Sequence, residues 1–258
     1  MNTLESAGGF PIQRITFLSD GLQLAGTLHL PRAKHPPIVI GCHGLMSDSN
    51  SPKQIALARQ CNRLGLAFLR IDHRGCGASQ GLFKEVTSLE SRCNDLLSAI
   101  NLMQSRTDMG KPTGLFGSSF GGTVCLAVAA RLQVAALVTF AAPIRSDFIR
   151  RIPTPLAEEH HDTPRLAPQK LHFDLTPMLT SIRAIHVFHG QNDEVVPVAH
   201  AQEIFAAAGD PKKLTLQPGG DHRMSDPSFQ KAFIQQAADW LSLVDSGQYE
   251  DSWDTAAA

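Results

Sequence analysis

Apolar and polar positions change rhythm once along the chain. From Ile12 to Pro31 they alternate, in "IQRITFLSDGLQLAGTLHLP", and this predicts two half-buried strands. Asp20-Gly21 stands between them, and Asp-Gly favours the two-residue turn of a hairpin. The chain therefore starts antiparallel. Beyond that point short apolar runs take over, in "PPIVIGCHG", "LAFLRIDHRG", "TGLFG", "VAALVTFAAP", "IRAIHVFHG" and "KKLTLQP". Segments with helical spacing lie between most of them. "SPKQIALARQCNRLG" has a serine cap, a proline at the first helical position and a glycine stop. "TSLESRCNDLLSAINLMQS" puts Leu89, Cys93, Leu96, Leu97 and Ile100 on one stripe. "SFGGTVCLAVAARL", about Val198 to Ala208, and about Asp226 to Val244 read as further helices. Strands alternating with helices imply a mainly parallel sheet covered on both faces.

One region breaks this rhythm. Six prolines fall between Pro143 and Thr180 (Pro143, Pro153, Pro155, Pro164, Pro168, Pro177), together with charge and histidine. Long connections in compact domains tend to be lids or binding elements. The expectation is a single domain over 1–258 with a cap insertion at about 143–180 and a frayed polar tail over 246–258.

Composition narrows the field. The chain of 258 residues is 43% hydrophobic, enough for one large core. A formal net charge of −1, scattered Lys and Arg, and 6% aromatics give little support to a nucleic-acid surface. No apolar segment is long enough to span a bilayer, and "MNTLESAGGFPIQ" lacks the pattern of a signal peptide. The five cysteines (Cys42, Cys61, Cys76, Cys93, Cys125) form no CxxC pair, which argues against a disulfide scaffold and a zinc site. Reduced thiols and a cytoplasmic setting are expected.

The chemistry concentrates in "PTGLFGSSFGGTVCL". Gly117, Ser119 and Gly121 stand in the G-x-S-x-G spacing, between an expected strand and an expected helix. A serine held in a strained corner needs neighbours almost free of side chain. Ser118 lacks that clearance on both sides, and a structural role is expected of it. A serine hydroxyl needs a base to take its proton. "FHGQNDEVVPVAH" offers Asp193 as the acid and "PGGDHRMSDP" offers His222 as the base, both in loops after strands. Glu194 and Asp221 are rival acids. His186, His189 and His200 read as packing or surface groups, and His160, His161 and His172 as solvated loop residues. After the first central strand, the N–H of Leu45 is expected to join that of Phe120 as an oxyanion site, with His43 bracing the loop and Cys42 buried. In "IDHRGCGASQG", Asp72 and Arg74 are expected to tie turns together. That run is not a dinucleotide fingerprint.

Taken together, "HGLMSDS", "DHRGCGASQG", "GSSFGG", "HGQNDEVVP" and "GGDHR" resemble the α/β-hydrolase superfamily, over about Ile12 to Val244. Small bacterial serine esterases and acyl-hydrolases are the nearest in pattern, both cinnamoyl/feruloyl esterase-like and serine aminopeptidase-like. The resemblance implies an eight-stranded sheet, a cap after the sixth strand, no metal and no organic cofactor. Dienelactone hydrolases carry a cysteine at the elbow and haloalkane dehalogenases an aspartate, where this chain has Ser119. The expected activity is hydrolysis of carboxylic esters with short, medium or aryl acyl groups, through an acyl-enzyme. Cap residues Phe148, Ile152, Leu171 and Phe173 are the candidates for the substrate pocket. Arg145, Arg150, Arg151 and Arg165 would either hold an acidic group on the substrate or serve solubility. Peptidase, thioesterase and C–C hydrolase chemistry on the same residues stay open, as does a binding protein that has kept only the fold. The expected partner is a small-molecule ester, with no nucleic acid and no membrane. Monomer and homodimer both remain open.

Overall fold

The computed structural model describes residues 3–5, 9–110, 113–147 and 171–242. Among the described residues, nine strands form one sheet in the order β1-β2-β3-β5-β4-β6-β7-β8-β9. The expected hairpin is β2 (Pro11–Ser19) and β3 (Leu22–His29), paired antiparallel with Ser19 opposite Leu22. Its turn puts Asp20 at φ 46° and Gly21 at φ 80°, as a two-residue turn matched to strand twist requires. β3 runs antiparallel to β5 (Ala67–Ile71). The remaining pairs, among β4 (Ile38–Cys42), β5, β6 (Thr113–Ser118), β7 (Ala136–Phe140), β8 (Ile185–Gly190) and β9 (Lys212–Gln217), are parallel. These are the eight strands the sequence predicts. The ninth, β1 (Thr3–Glu5), adds three residues to the free edge of β2. A run that short carries no periodicity to read.

The apolar runs are continuous because both faces of the central strands are covered. Along β4, Ile38, Ile40 and Cys42 enter one core while Val39 enters the other. β5 divides in the same way, with Leu69 and Ile71 on one side and Phe68 on the other. α1 (Pro52–Arg63) and the last helix, α6 (Pro227–Leu241), cover the Phe68 side through Leu57, Cys61, Phe233 and Leu241. α3 (Leu89–Ser105), α4 (Phe120–Ala129) and α5 (Ala199–Ala207) cover the other side, and a single turn, α2 (Phe83–Val86), precedes α3. Ser51 occupies the cap position of α1 without a capping side-chain bond, so the start rests on Pro52. Ser88 and Ser91 close a reciprocal capping box on α3.

The stretch expected to form a cap lies between β7 and β8. Residues 148–170 of it, with Phe148 and Ile152, are outside the described residues, as are residues 243–258. Sheet order reverses around β4, whose neighbours are β5 and β6. Loops leaving the carboxyl ends of strands at such a point form the crevice where open α/β sheets bind ligands.

Candidate active site

Ser119 links β6 to α4 at φ 52° and ψ −125°, a conformation that costs a non-glycine residue on the order of 1–3 kcal/mol. The flanking glycines make the corner possible. A Cβ at Gly117 would lie under 3.0 Å from the Gly121 backbone, and one at Gly121 under 3.0 Å from the carbonyls of Cys42 and His43. The Ser119 N–H donates to the Phe140 carbonyl at 2.8 Å, and its own carbonyl accepts from Gly122 N–H. Ser118 continues β6 in register with Phe140, in the structural place expected of it.

His222 and Asp193 come to Ser119 from two other strand ends. The Ser119 Oγ lies 3.2 Å from His222 Nε2, and His222 Nδ1 lies 2.9 and 3.0 Å from the two Asp193 oxygens. The rival acids sit elsewhere. Asp221 accepts from Ser225 N–H, and Glu194 accepts the backbone N–H of His222 at 3.1 Å, bracing the loop without touching the ring. Asp193 also accepts the N–H groups of Val195 and Val196 at 2.9 and 2.7 Å. Burial alone would raise its pKa. Hydrogen bonds from His189, His222 and the Val196 N–H outweigh burial and hold the carboxyl well below the usual range. An ionised carboxylate only accepts, so the His222 proton sits on Nδ1 and leaves Nε2 free to receive one from Ser119.

His189 belongs to this assembly, although only a packing or surface role is expected of it from the sequence. Its side chain is fully buried at the end of β8, with Nε2 2.8 Å from the Val196 carbonyl and 3.2 Å from Asp193 Oδ2. Its spacing of four residues from Asp193, at a strand end, was the available signal. His186 and His200 are structural, as expected. His186 stacks on Phe188, and His200 Nδ1 accepts the Ile144 N–H at 2.9 Å.

The loop after β4 lies beside the nucleophile corner: a Cβ on Gly44 would be 3.5 Å from Ser119 Cβ. Among the described residues, neither the Leu45 nor the Phe120 N–H has an acceptor. Phe120 is the first residue of α4, where unpaired N–H groups and the helix dipole favour negative charge. His43 braces the loop, with Nδ1 2.7 Å from the Gly44 carbonyl and Nε2 accepting from His73 N–H at 3.1 Å. Cys42 is buried. Asp72 ties two turns, accepting from Ser49 and Ala78 N–H at 2.7 and 3.0 Å. Arg74 reaches Asp95, Ser19 and Asp20, and Asp95 also faces His73. With burial opposed by the hydrogen bonds of His73 and Arg74, the Asp95 carboxyl is held at about 2.

Of the candidate pocket residues, Leu171 and Phe173 are buried in the larger core. Phe173 packs its ring 5.8 Å from that of Phe120. Arg145 is engaged by Glu203 at 2.8 Å, while Arg150, Arg151 and Arg165 are outside the described residues. Among the described residues, no group of three or more His, Cys, Asp and Glu is placed to hold a metal ion. No helix among them is long and apolar enough to cross a membrane.

A model of the serine aminopeptidase S33 family of hydrolases matches residues 33–170, more than half of the chain. The chain belongs to this family. Its relatives include an uncharacterized protein of Mycobacterium tuberculosis, Rv2307c, 30% identical over 81% of this chain and 70% of its own. The mouse mitochondrial palmitoyl-protein thioesterase ABHD10 is 28% identical over 74% of this chain and 70% of its own. Among solved structures, Est1E of Butyrivibrio proteoclasticus, with ferulic acid bound, superposes with a TM-score of 0.73. It is 19% identical and covers 90% of this chain and 99% of its own. Mouse ABHD10 superposes at 0.70, with 21% identity over 91% and 99% of the two chains. This S33 protein is thus a hydrolase with the α/β-hydrolase fold.

Proposed function

We propose that this hydrolase cleaves carboxylic esters with short, medium or aryl acyl groups through an acyl-enzyme on Ser119. The observation that carries this reading is the continuous hydrogen-bonded line from Ser119 through His222 to a buried, ionised Asp193, starting at a strained corner. His222 Nε2 takes the Ser119 proton as Oγ attacks the acyl carbon, then returns it to the leaving alcohol. Asp193 holds the ring's tautomer and stabilises the imidazolium. The Leu45 and Phe120 N–H groups receive the developing oxyanion. A water activated by the same histidine releases the acid.

The insertion at about 143–180 would cap the site and set acyl preference, with Phe173 against Phe120 at its inner wall. Leu171 is the other described candidate for the pocket, and Phe148 and Ile152, outside the described residues, stay candidates for the rest. The five free cysteines support a reducing, cytoplasmic setting. A second reading, hydrolysis of acyl thioesters, is favoured by the likeness to the thioesterase ABHD10.

The test is a panel of p-nitrophenyl acetate, butyrate, octanoate and palmitate, with octanoyl thioesters of a small thiol, given to the wild type and to Ser119→Ala. Ester turnover is expected to vanish in the folded variant and, in the wild type, to decline beyond medium chains. Rates rising steadily to long chains would overturn the acyl preference, and faster thioester cleavage would favour the second reading. Equal activity in both proteins would remove Ser119 from the mechanism.

A further inference from the structure

Arg92 has no part in the line from Ser119 to Asp193, yet it is fully buried at the first turn of α3 and is the largest such side chain in the described structure. A guanidinium stripped of water is normally matched by a carboxylate. Arg92 forms no ion pair among the described residues, and its neighbour Asp95 is taken by Arg74 and His73. Its donors go to the loop after β4: Nη1 to the Gly44 carbonyl at 3.3 Å and Nη2 to the Leu45 carbonyl at 3.0 Å, with Cys76 Sγ at 3.3 Å from Nη2. Its Cζ lies 5.4 Å from the centre of the Phe120 ring. One side chain therefore touches both residues whose N–H groups would receive the oxyanion.

The Gly44 carbonyl and the Leu45 N–H belong to one peptide group. In a trans peptide they point in opposite directions. Whatever fixes the carbonyl fixes the N–H, and here Arg92 and His43 Nδ1 hold the same oxygen. Hydrogen bonding to that oxygen also polarises the peptide and strengthens its N–H as a donor. The guanidinium, with no ion-paired carboxylate of its own, adds a positive charge behind both donors, in a setting where water screens it little.

We propose that Arg92 is a positioning residue for the oxyanion site, aiming the Leu45 N–H through the Gly44 carbonyl and biasing the site electrostatically toward the tetrahedral oxyanion. This rests on the reading of Ser119, Leu45 and Phe120 given above. The test uses Arg92→Met, which removes the charge and both carbonyl bonds, and Arg92→Lys, which keeps the charge but not the two-point grip. Active sites are counted by fluorophosphonate labelling, so that kcat is expressed per competent site and partial unfolding drops out. Inhibition by an aliphatic trifluoromethyl ketone, which forms an oxyanion-bearing adduct with a serine, is compared with that by the matching methyl ketone.

Arg92→Met is expected to lower kcat per site by about 10²-fold, the scale of losing one oxyanion donor, with KM within about threefold. Inhibition by the trifluoromethyl ketone should weaken in step with kcat/KM, with methyl ketone binding unchanged. Arg92→Lys should fall between. A kcat per site within about threefold of wild type in Arg92→Met, or a loss borne by KM alone, would overturn the proposal. Where Arg92→Met does not fold, unchanged kcat and ketone inhibition in Arg92→Lys would overturn it equally. Full activity in Ser119→Ala would instead sink the underlying site reading, and this proposal with it.

Discussion

Replacing Asp193 by asparagine changes one atom in the buried line and inverts what that atom can do. Asp193 Oδ1 accepts from Val195 and Val196 N–H, and the asparagine Oδ1 can keep both bonds. Oδ2 lies 2.9 Å from His222 Nδ1 and 3.2 Å from His189 Nε2, and there asparagine presents an NH2 group, while Oδ1, 3.0 Å from the same Nδ1, is already occupied by the two backbone N–H groups. Two donors then face each other inside a site where the Asp193 side chain is fully buried. His222 relieves this by moving its proton to Nε2, which disables it as the acceptor for Ser119. The negative charge that stabilised the imidazolium is lost as well. Tautomer inversion of this kind costs about 10⁴-fold in kcat, which at 1.36 kcal/mol per tenfold is roughly 5 kcal/mol of transition-state stabilisation. Asp193 is expected to touch no substrate, so KM should stay within a few-fold. The assay is steady-state hydrolysis of p-nitrophenyl butyrate beside a denaturant titration showing that the variant is folded. Asp193→Asn protein retaining more than about a tenth of wild-type kcat would refute the reasoning, because the carboxylate would then not govern the His222 proton.

Three further outcomes follow from the geometry. Gly121→Ala must push the corner away from the Cys42 and His43 carbonyls, so a stability loss of about 1–3 kcal/mol by urea titration and a large fall in kcat are expected. Asp95→Ala leaves the buried Arg74 and His73 without their shared carboxylate and should cost about 3–5 kcal/mol in the same titration. Burial and the nearby Arg70 charge hold His29 at about 4, and its Nε2 accepts from Arg70 Nε. Folded His29 thus stays neutral while the unfolded chain takes up a proton below about 6.5. Stability should therefore fall by up to roughly 3 kcal/mol between pH 6.5 and 4, and His29→Gln should flatten that slope.

The parts legible in the sequence were those with a local signature. Asp20-Gly21 announced its hairpin, and the apolar runs announced buried strands because both faces are covered. Gly117 and Gly121 marked the serine corner through a steric need that is local to seven residues. Asp193 and His222 were legible by chain order, since each follows a strand that ends at the same edge of the sheet. What the sequence did not show depends on tertiary contact. His189 looks like any residue at a strand end until its Nε2 meets Asp193. Arg92 carried a fainter signal: it stands three residues after Leu89 and beside Cys93, on the stripe that α3 buries, where a lone cation has no reason to be. Ser51 shows the opposite failure, a capping residue in the right place whose hydroxyl makes no capping bond.

The central claim is that Ser119, activated by His222, is the nucleophile. A fluorophosphonate probe followed by peptide mass mapping tests it most directly, on the wild type and on folded Ser119→Ala and His222→Ala variants. One phosphonylated residue, Ser119, is expected in the wild type, none in Ser119→Ala, and labelling slowed by orders of magnitude in His222→Ala. A label on Ser118, or none on a folded wild-type protein, would contradict it.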